Sequence, residues 1–398
     1  MSTTTVKISP QILKWARTSL NLTENDVINH FSQRSKMKFG VDLSFLQSLE
    51  SNEQDIRFTL LQELSSLYKR PLAIFFLTHS PIELSPPKDR RTISSEVHRI
   101  LSPEAILVLR RARYVQEVFA ELSIELNWNL AFPFKKISLS DDPKKIAENF
   151  RNTLNFSFEF QAEKIKNSRE LFNAIRERLE EINVFTLKAS FPTEDARAFS
   201  LVDKTPNLIV INNKDGGYFG YAPKSFSLLH EFAHILLNEG AICNDFSRSH
   251  LQVEKFCNEF SASFLVPDRK FLETLPVSKG NFDKNDVGKY LDDLQPIFKV
   301  SKEVLLRKCL SLQLIDNDFY RQKTNEWRNE YEKNKKNEKG GFVPAITPGR
   351  RAVNNNSRKF VELVLYAKGL GKITFDKAAD YLGVSIKSLS EVESLSLK

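Results

Sequence analysis

The stretch SFSLLHEFAHILLN (225–238), preceded by NLIVIN (207–212) and the turn Asp215-Gly216-Gly217, decides how this chain is read. Leu208-Ile209-Val210-Ile211 is continuously apolar and mostly β-branched, the pattern of a strand buried on both faces. The segment from Ser225 to Asn238 has helical spacing. Inside it, His230 and His234 stand four residues apart, on one face and about one turn from each other, so both imidazoles can converge on one ion. Glu231 lies beside the first histidine and is placed to act on a metal-bound water instead of ligating. Leu228, Leu229, Phe232, Ile235, Leu236 and Leu237 bury the helix. A buried neutral imidazole is a good zinc ligand, and a dry surrounding strengthens the field of the ion.

HExxH is a short motif, but the chain holds only 6 His in 398 residues. Chance gives roughly 0.006 such motifs per chain of this composition. The bland alternative is a pair of core histidines satisfied by hydrogen bonds around an exposed glutamate. Burying two His and a Glu without a metal is costly, which weighs against it.

A catalytic zinc takes three protein ligands and keeps one open position. The following helix, 249–265, closed by Pro267, offers the third. Glu254 shares a face with Asn258, while Phe256, Phe260 and Phe264 mark the packed side. Glu254 is the preferred ligand. Cys257, one turn on, can also reach an ion, although a thiolate makes a softer and more structural site. Asp245, His250 and Glu259 are lesser candidates, and Glu259 should face elsewhere because it is turned roughly 140° from Glu254 around the helix. For an oxyanion donor, Tyr218, Tyr221 and His250 are near enough in sequence to be considered.

These two helices, with Phe226 to Leu237 followed by EKFCNEFSASFLVP (254–267), resemble those of the ImmA/IrrE family of zinc metallopeptidases. The family has an "FT-L-HE-GH-LL" helix and an "E-x-x-AN-FA-x-LLMP" helix. The resemblance implies that His230, His234 and Glu254 ligate Zn2+ and that Glu231 is catalytic. The departures are Ser227 for Thr, Ala233 for Gly, Cys257 for Ala and Val266 for Met, and none removes a ligand. Strand 208–212 is similar to the one preceding the metal helix there, and VSKEVLL (300–306) to a helix after the core. The N-terminal part resembles an XRE-type helix-turn-helix, and PPKDRR (86–91) a linker of the family's long members. GKITFDKAADYLGVSIKSL (371–389) resembles their C-terminal helical segment. The implied substrate is a regulatory protein, such as a helix-turn-helix repressor or a partner in a toxin–antitoxin pair.

The expected fold is α+β and mostly helical, a zincin-like peptidase core with a small sheet. Residues 1–80 read as a helix-turn-helix-like domain of short helices, 81–95 as a Pro-rich linker and 96–318 as the metallopeptidase domain. A basic helix and linker follow at 319–349, with KNKKNEK (333–339) as a solvated stretch. A C-terminal helical segment fills 350–398, as a helix pair around Gly371 and Gly383. In the core, helices are expected at 103–127, 144–153 and 163–182, and strands at 185–189, 198–202 and 207–212.

DNA contact through residues 1–80 is open. The third helix, from Asp42, offers Ser44, Gln47, Ser48 and Ser51 but no Lys or Arg, and it carries Asp42 and Glu50. Arg34, Lys36 and Lys38 before it suit phosphate. A domain that binds protein, or that packs on the peptidase, fits the same residues. A DNA-binding regulator with a structural or sensory metal is therefore the alternative function. The net charge of +8 permits nucleic-acid contact without demonstrating it. No apolar run reaches 18 residues, so no membrane span is expected. Three cysteines without CxxC spacing and no apolar leader indicate a reducing cytoplasm. The 31 Phe read as core packing.

Overall fold

A computed structural model describes residues 4–33, 39–81, 101–216, 220–237, 249–337 and 346–396. The chain divides into two units, one holding the described residues up to Arg110 and the other those from Arg111.

The first unit begins with β1 (Thr5–Lys7) and α1 (Pro10–Thr18), followed by α2 (Glu24–Gln33) and α3 (Leu43–Ser51). Then come β2 (Asp55–Arg57), α4 (Phe58–Leu67) and a 3-10 turn at Leu72–Phe76. Pro10 opens α1, where its missing N–H costs nothing. Thr23 and Asp26 form a reciprocal cap for α2, with Asp26 N donating to Thr23 Oγ1 and Thr23 N to Asp26 Oδ2. The expectation of helices alone is corrected here. β1 pairs antiparallel with β2, Val6 opposite Ile56. Each strand has three residues, too few for an alternating pattern to show in sequence. Ile12, Leu13, Val27, Leu46, Leu49, Leu61 and Tyr68 fill the core.

The two acids of α3 are engaged within this unit. Asp42 Oδ1 accepts from Phe45 N at 2.8 Å and caps the helix. Glu50 takes a bidentate pair from Arg17 at 2.6 and 2.7 Å, both side chains under a tenth exposed. Ser44, Gln47 and Ser51 are exposed, with Gln47 donating to Glu24 at 3.1 Å. Arg34, Lys36 and Lys38 lie outside the described residues, as does most of the linker expected at 81–95.

In the second unit, α5 (Pro103–Glu125), within which the division falls, leads to α6 (Pro143–Thr153), a π turn at Phe160–Lys164 and α7 (Ser168–Glu181). The helix expected over 163–182 is thus interrupted. Ile165 is extended, and the Asn167 side chain accepts from Arg169 N and Glu170 N, restarting the helix. β3 (Val184–Ala189), β4 (Ala198–Leu201) and β5 (Asn207–Asn212) form a sheet in the order β3-β5-β4. β5 runs parallel to β3, Leu187 opposite Val210, and antiparallel to β4, Ser200 opposite Ile209. Its central place explains why Leu208 to Ile211 are fully buried. Buried Gln116 holds the β4–β5 connection, donating to the carbonyls of Lys204 and Pro206.

α8 (Tyr221–Leu237) packs on β4 and β5, and α9 (Ser249–Leu265) packs on α8 and α6. Gly220 is required just before α8. A Cβ there would fall 2.0 Å from the Gly216 carbonyl oxygen. Aromatic contacts fuse the layers, with Phe150 against Phe232 at 5.2 Å and Phe232 against Phe260 at 6.0 Å. Most of the largest fully buried side chains are Phe, which accounts for its heavy use.

The unit continues through α10 (Asp268–Thr274), α11 (Val287–Phe298), α12 (Lys302–Ser311) and α13 (Asn317–Asn337). α13 is not purely solvated, since Phe319, Tyr320 and Trp327 pack against the core. The Gly340–Gly349 linker is mostly outside the described residues, and its last two residues already belong to α14 (Pro348–Asn355). The tail then forms α15 (Arg358–Gly369), α16 (Phe375–Leu382) and α17 (Ile386–Ser396). The expected helix pair is therefore three helices. Gly371 and Gly383 each make a left-handed turn, at φ 69° and 68°. The tail packs on the rest of the unit. Phe119 stacks on both Phe185 and Phe360, and Arg176 donates to the carbonyls of Thr186 and Asn354. Among the described residues no helix is long and apolar enough to cross a membrane.

Candidate metal centre

α8 starts a turn earlier than Ser225, and its facing positions fix the site. His230 and His234 project from consecutive turns toward α9. Their Nε2 atoms are 3.1 Å apart. Glu254, from the second turn of α9, spans them, with Oε2 3.3 Å from His230 Nε2 and Oε1 3.4 Å from His234 Nε2. Donor atoms of all three lie within 4.8 Å of one another. Three donors at about 2.0–2.2 Å around a tetrahedral ion stand roughly 3.3–3.6 Å apart, close to this spacing. Glu254 Oε1 is buried without a hydrogen-bond partner in the protein, an orphaned acceptor aimed at the shared point. Two imidazoles and a carboxylate suit zinc, and equally other divalent transition metals. The residues therefore fit a metal ion.

The electrostatics agree. Burial raises the Glu254 carboxyl, but the charge of His230 and His234, whose Nε2 atoms stand 3.3 and 3.4 Å from its two oxygens, outweighs it and holds the group well below the usual carboxylate range. Burial lowers His234, yet Cys257, Glu254 and Glu231 around it leave it raised well above its ordinary value. Such a site favours positive charge at its centre.

A second layer of partners was not legible from the motif. His230 Nδ1 faces Asn258 Oδ1 at 3.1 Å. Were Nε2 to hold a metal ion, Nδ1 would carry the proton and donate to Asn258 Oδ1, the tautomer a ligand needs. The i, i+4 relation of Glu254 and Asn258 was visible, but the histidine partner was not. Glu231 is buried, and its Oε2 accepts from Ser200 Oγ of β4 at 3.0 Å. Nothing local to β4 signals that contact, which spans 31 residues.

The remaining candidates separate clearly. Cys257 is fully buried near His234 but is not in the converging trio. Burial pushes its thiol up, which keeps it protonated and a poor ligand, although His234 draws it down. Glu259 faces away and meets Lys144 at 3.5 Å. Tyr221 opens α8 nine residues before His230, about 13 Å along the axis, with its ring against Phe172, so it is no oxyanion donor. Asp245, Tyr218 and the His250 side chain lie outside the described residues.

Residues 179–310 match the family model described as the IrrE N-terminal-like domain, Peptidase_M78. The matched segment runs from the end of α7 through α12 and contains the sheet, His230, His234 and Glu254. It supports the ImmA/IrrE resemblance for this part of the chain and a peptidase function with protein as substrate. It does not extend to residues 1–178 or 311–398. No curated protein and no solved structure gives a match to the chain.

Proposed function

We propose that the protein is a zinc-dependent endopeptidase, with its peptidase part over 96–318, in which His230, His234 and Glu254 hold Zn2+ and Glu231 is the general base. The observation that carries this reading is the convergence of two imidazole Nε2 atoms and an otherwise unpartnered carboxylate oxygen on one point. When bound, zinc lowers the pKa of a coordinated water to about 7 and polarises the scissile carbonyl.

The chain's own groups do the rest. Asn258 keeps His230 in its ligating tautomer. Ser200 fixes Glu231 through Oε2, so Oε1 is the oxygen that takes the proton from the attacking water. The same carboxylate returns that proton to the leaving amine. Its burial keeps bulk water from competing for the proton.

For the substrate, the resemblance to ImmA/IrrE peptidases favours a regulatory protein of the repressor or antitoxin kind, cleaved in a reducing cytoplasm. The described cysteines are consistent with that compartment, since Cys257 and Cys309 are free and buried.

A second reading is a DNA-binding regulator with a structural or sensory metal. It is favoured by α3, whose acids are engaged internally while Ser44 and Ser51 stay exposed. Glu231→Gln separates the two. Under the peptidase reading this variant binds zinc as the parent does and loses proteolysis. Full cleavage by a zinc-loaded Glu231→Gln protein refutes it, and salt-dependent duplex binding without cleavage establishes the second reading.

A further inference from the structure

The C-terminal tail holds a second arrangement, separate from the metal centre. α16 and α17 are joined by Gly383-Val384-Ser385 alone. Gly383 takes the left-handed conformation that turns the chain, at φ 68°. Two helices joined by such a short glycine-containing turn are the frame of a helix-turn-helix. Ala378, Ala379 and Leu382 of α16 and Leu389 and Val392 of α17 are buried. α15 touches both helices, so the three pack around an apolar centre, and the small alanines let neighbours approach closely.

The other side of α17 is open. Ile386, Lys387, Ser390 and Ser394 are exposed, Ile386 by 59%, and they fall within about 100° around the helix. Both acids of α17 are taken up elsewhere. Glu391 accepts from the Thr347 hydroxyl and, at 3.0 Å, from Gly349 N, and Glu393 pairs with Lys368. The open face therefore offers one cation, two hydroxyls and one apolar side chain, with no carboxylate among the described residues. Cations border it. Glu391 holds the first turn of α14 against α17, which brings the exposed Arg350 and Arg351 to that junction. Lys377 of α16 is also exposed. Asp376 stays exposed beside Lys377, whereas Asp380 accepts from Tyr114 Oη at 2.5 Å. With eight basic and five acidic residues, the described tail is positive.

We propose that α16 and α17 form a helix-turn-helix that binds duplex DNA, with α17 as the helix that enters the major groove. The first residues of such a helix meet base edges. Lys387 suits guanine, Ser390 either base, and Ile386 the thymine methyl group. Lys377, Arg350 and Arg351 take phosphates. A protein partner suits this face less well, because it presents a single apolar side chain among polar ones and lacks an apolar interface centre. The site is distinct from residues 1–80 and stands independently of the peptidase reading.

The test uses the full chain and a labelled random-sequence duplex of about 30 base pairs, roughly three helical turns, with fluorescence anisotropy as readout. Three phosphate contacts predict about a fortyfold loss of affinity between about 50 and 200 mM salt. Lys387→Glu and Ile386→Glu should each weaken binding at least about tenfold, with the Tm and zinc content of the parent, because both side chains are exposed. Lys289→Glu, the same charge change at an exposed position of α11, should bind as the parent does. Selection from a random library should enrich one sequence with the parent, and Lys387→Ala should relax it at one position. No binding at low salt overturns the proposal and leaves the face to a protein partner. An equal loss in Lys289→Glu overturns it, as does binding that survives both α17 variants and is lost in Arg34→Glu/Lys36→Glu, which places the duplex on residues 1–80.

Discussion

Asn258→Leu tests whether the histidine geometry is built or incidental. The replacement keeps approximate volume on α9 and removes the acceptor facing His230 Nδ1. Outer partners of metal-bound histidines are worth roughly 10–100-fold in metal affinity, about 1.4–2.7 kcal/mol. The contact here is a single bond of 3.1 Å to a neutral amide, not to a carboxylate, so the lower part of that range applies, about ten- to thirtyfold. Zinc affinity is measured by competition with a chromophoric chelator at pH 7.5. Thermal unfolding of the metal-free protein shows separately whether the variant folds. Asn258→Asp supplies a stronger acceptor and should bind zinc at least as well as the parent. A folded Asn258→Leu protein with parental zinc affinity refutes the role given to Asn258.

Other consequences follow from contacts elsewhere in the chain. Ser200→Ala should lower kcat about tenfold with zinc content unchanged, and Ser200→Thr should restore it; unchanged turnover in the alanine variant removes Ser200 from the account. Glu50→Ala leaves Arg17, 8% exposed at its side chain, with the Leu22 carbonyl at 2.8 Å and Glu24 at 3.9 Å, and should cost about 1–3 kcal/mol by urea unfolding followed in fluorescence. Replacing both partners with Met should recover much of that loss, and a Glu50→Ala cost under about 1 kcal/mol contradicts a buried pair. Asp268 receives Lys144 at 2.7 Å and Lys308 at 2.6 Å. Burial raises its carboxyl, but these two ammoniums prevail and lower it. A depressed carboxyl stabilises the fold above about pH 4, and the contribution fades as pH falls through the folded value. Asp268→Asn should therefore lower the urea midpoint at pH 7, with the 1% exposed Lys308 left unpaired, and narrow the gap to the parent at pH 3. Equal midpoints at pH 7 would exclude this coupling.

The centre of the fold was legible because its signals are local. A short apolar, mostly β-branched run has the pattern of an inner strand, and β5 is one. The apolar surround of His230 and His234 gave the buried helix, and α9 matches its expected limits. The opposite turn of Glu254 and Glu259 followed from helix geometry alone. What escaped depends on partners far along the chain. Ser200 meets Glu231 and Asn258 meets His230 only after the sheet and helices assemble. Short elements also hid. The β1–β2 ribbon has three residues a side, separated by three helices. The break at Ile165 is imposed by the Asn167 cap, which a periodicity count reads through. In α3 the sequence shows acids on a helix proposed to read DNA, whereas Arg17 and the cap of the helix take both up.

X-ray absorption at the zinc edge of the loaded protein tests the central claim most directly. The account predicts one zinc per chain in a shell of nitrogen and oxygen at about 2.0–2.2 Å, with two imidazoles in the outer scattering and no sulfur. Glu254→Gln should alter that shell, while Cys257→Ala should leave it unchanged. A sulfur contribution at about 2.3 Å, or zinc bound undisturbed after His230 and His234 are both replaced, would contradict it.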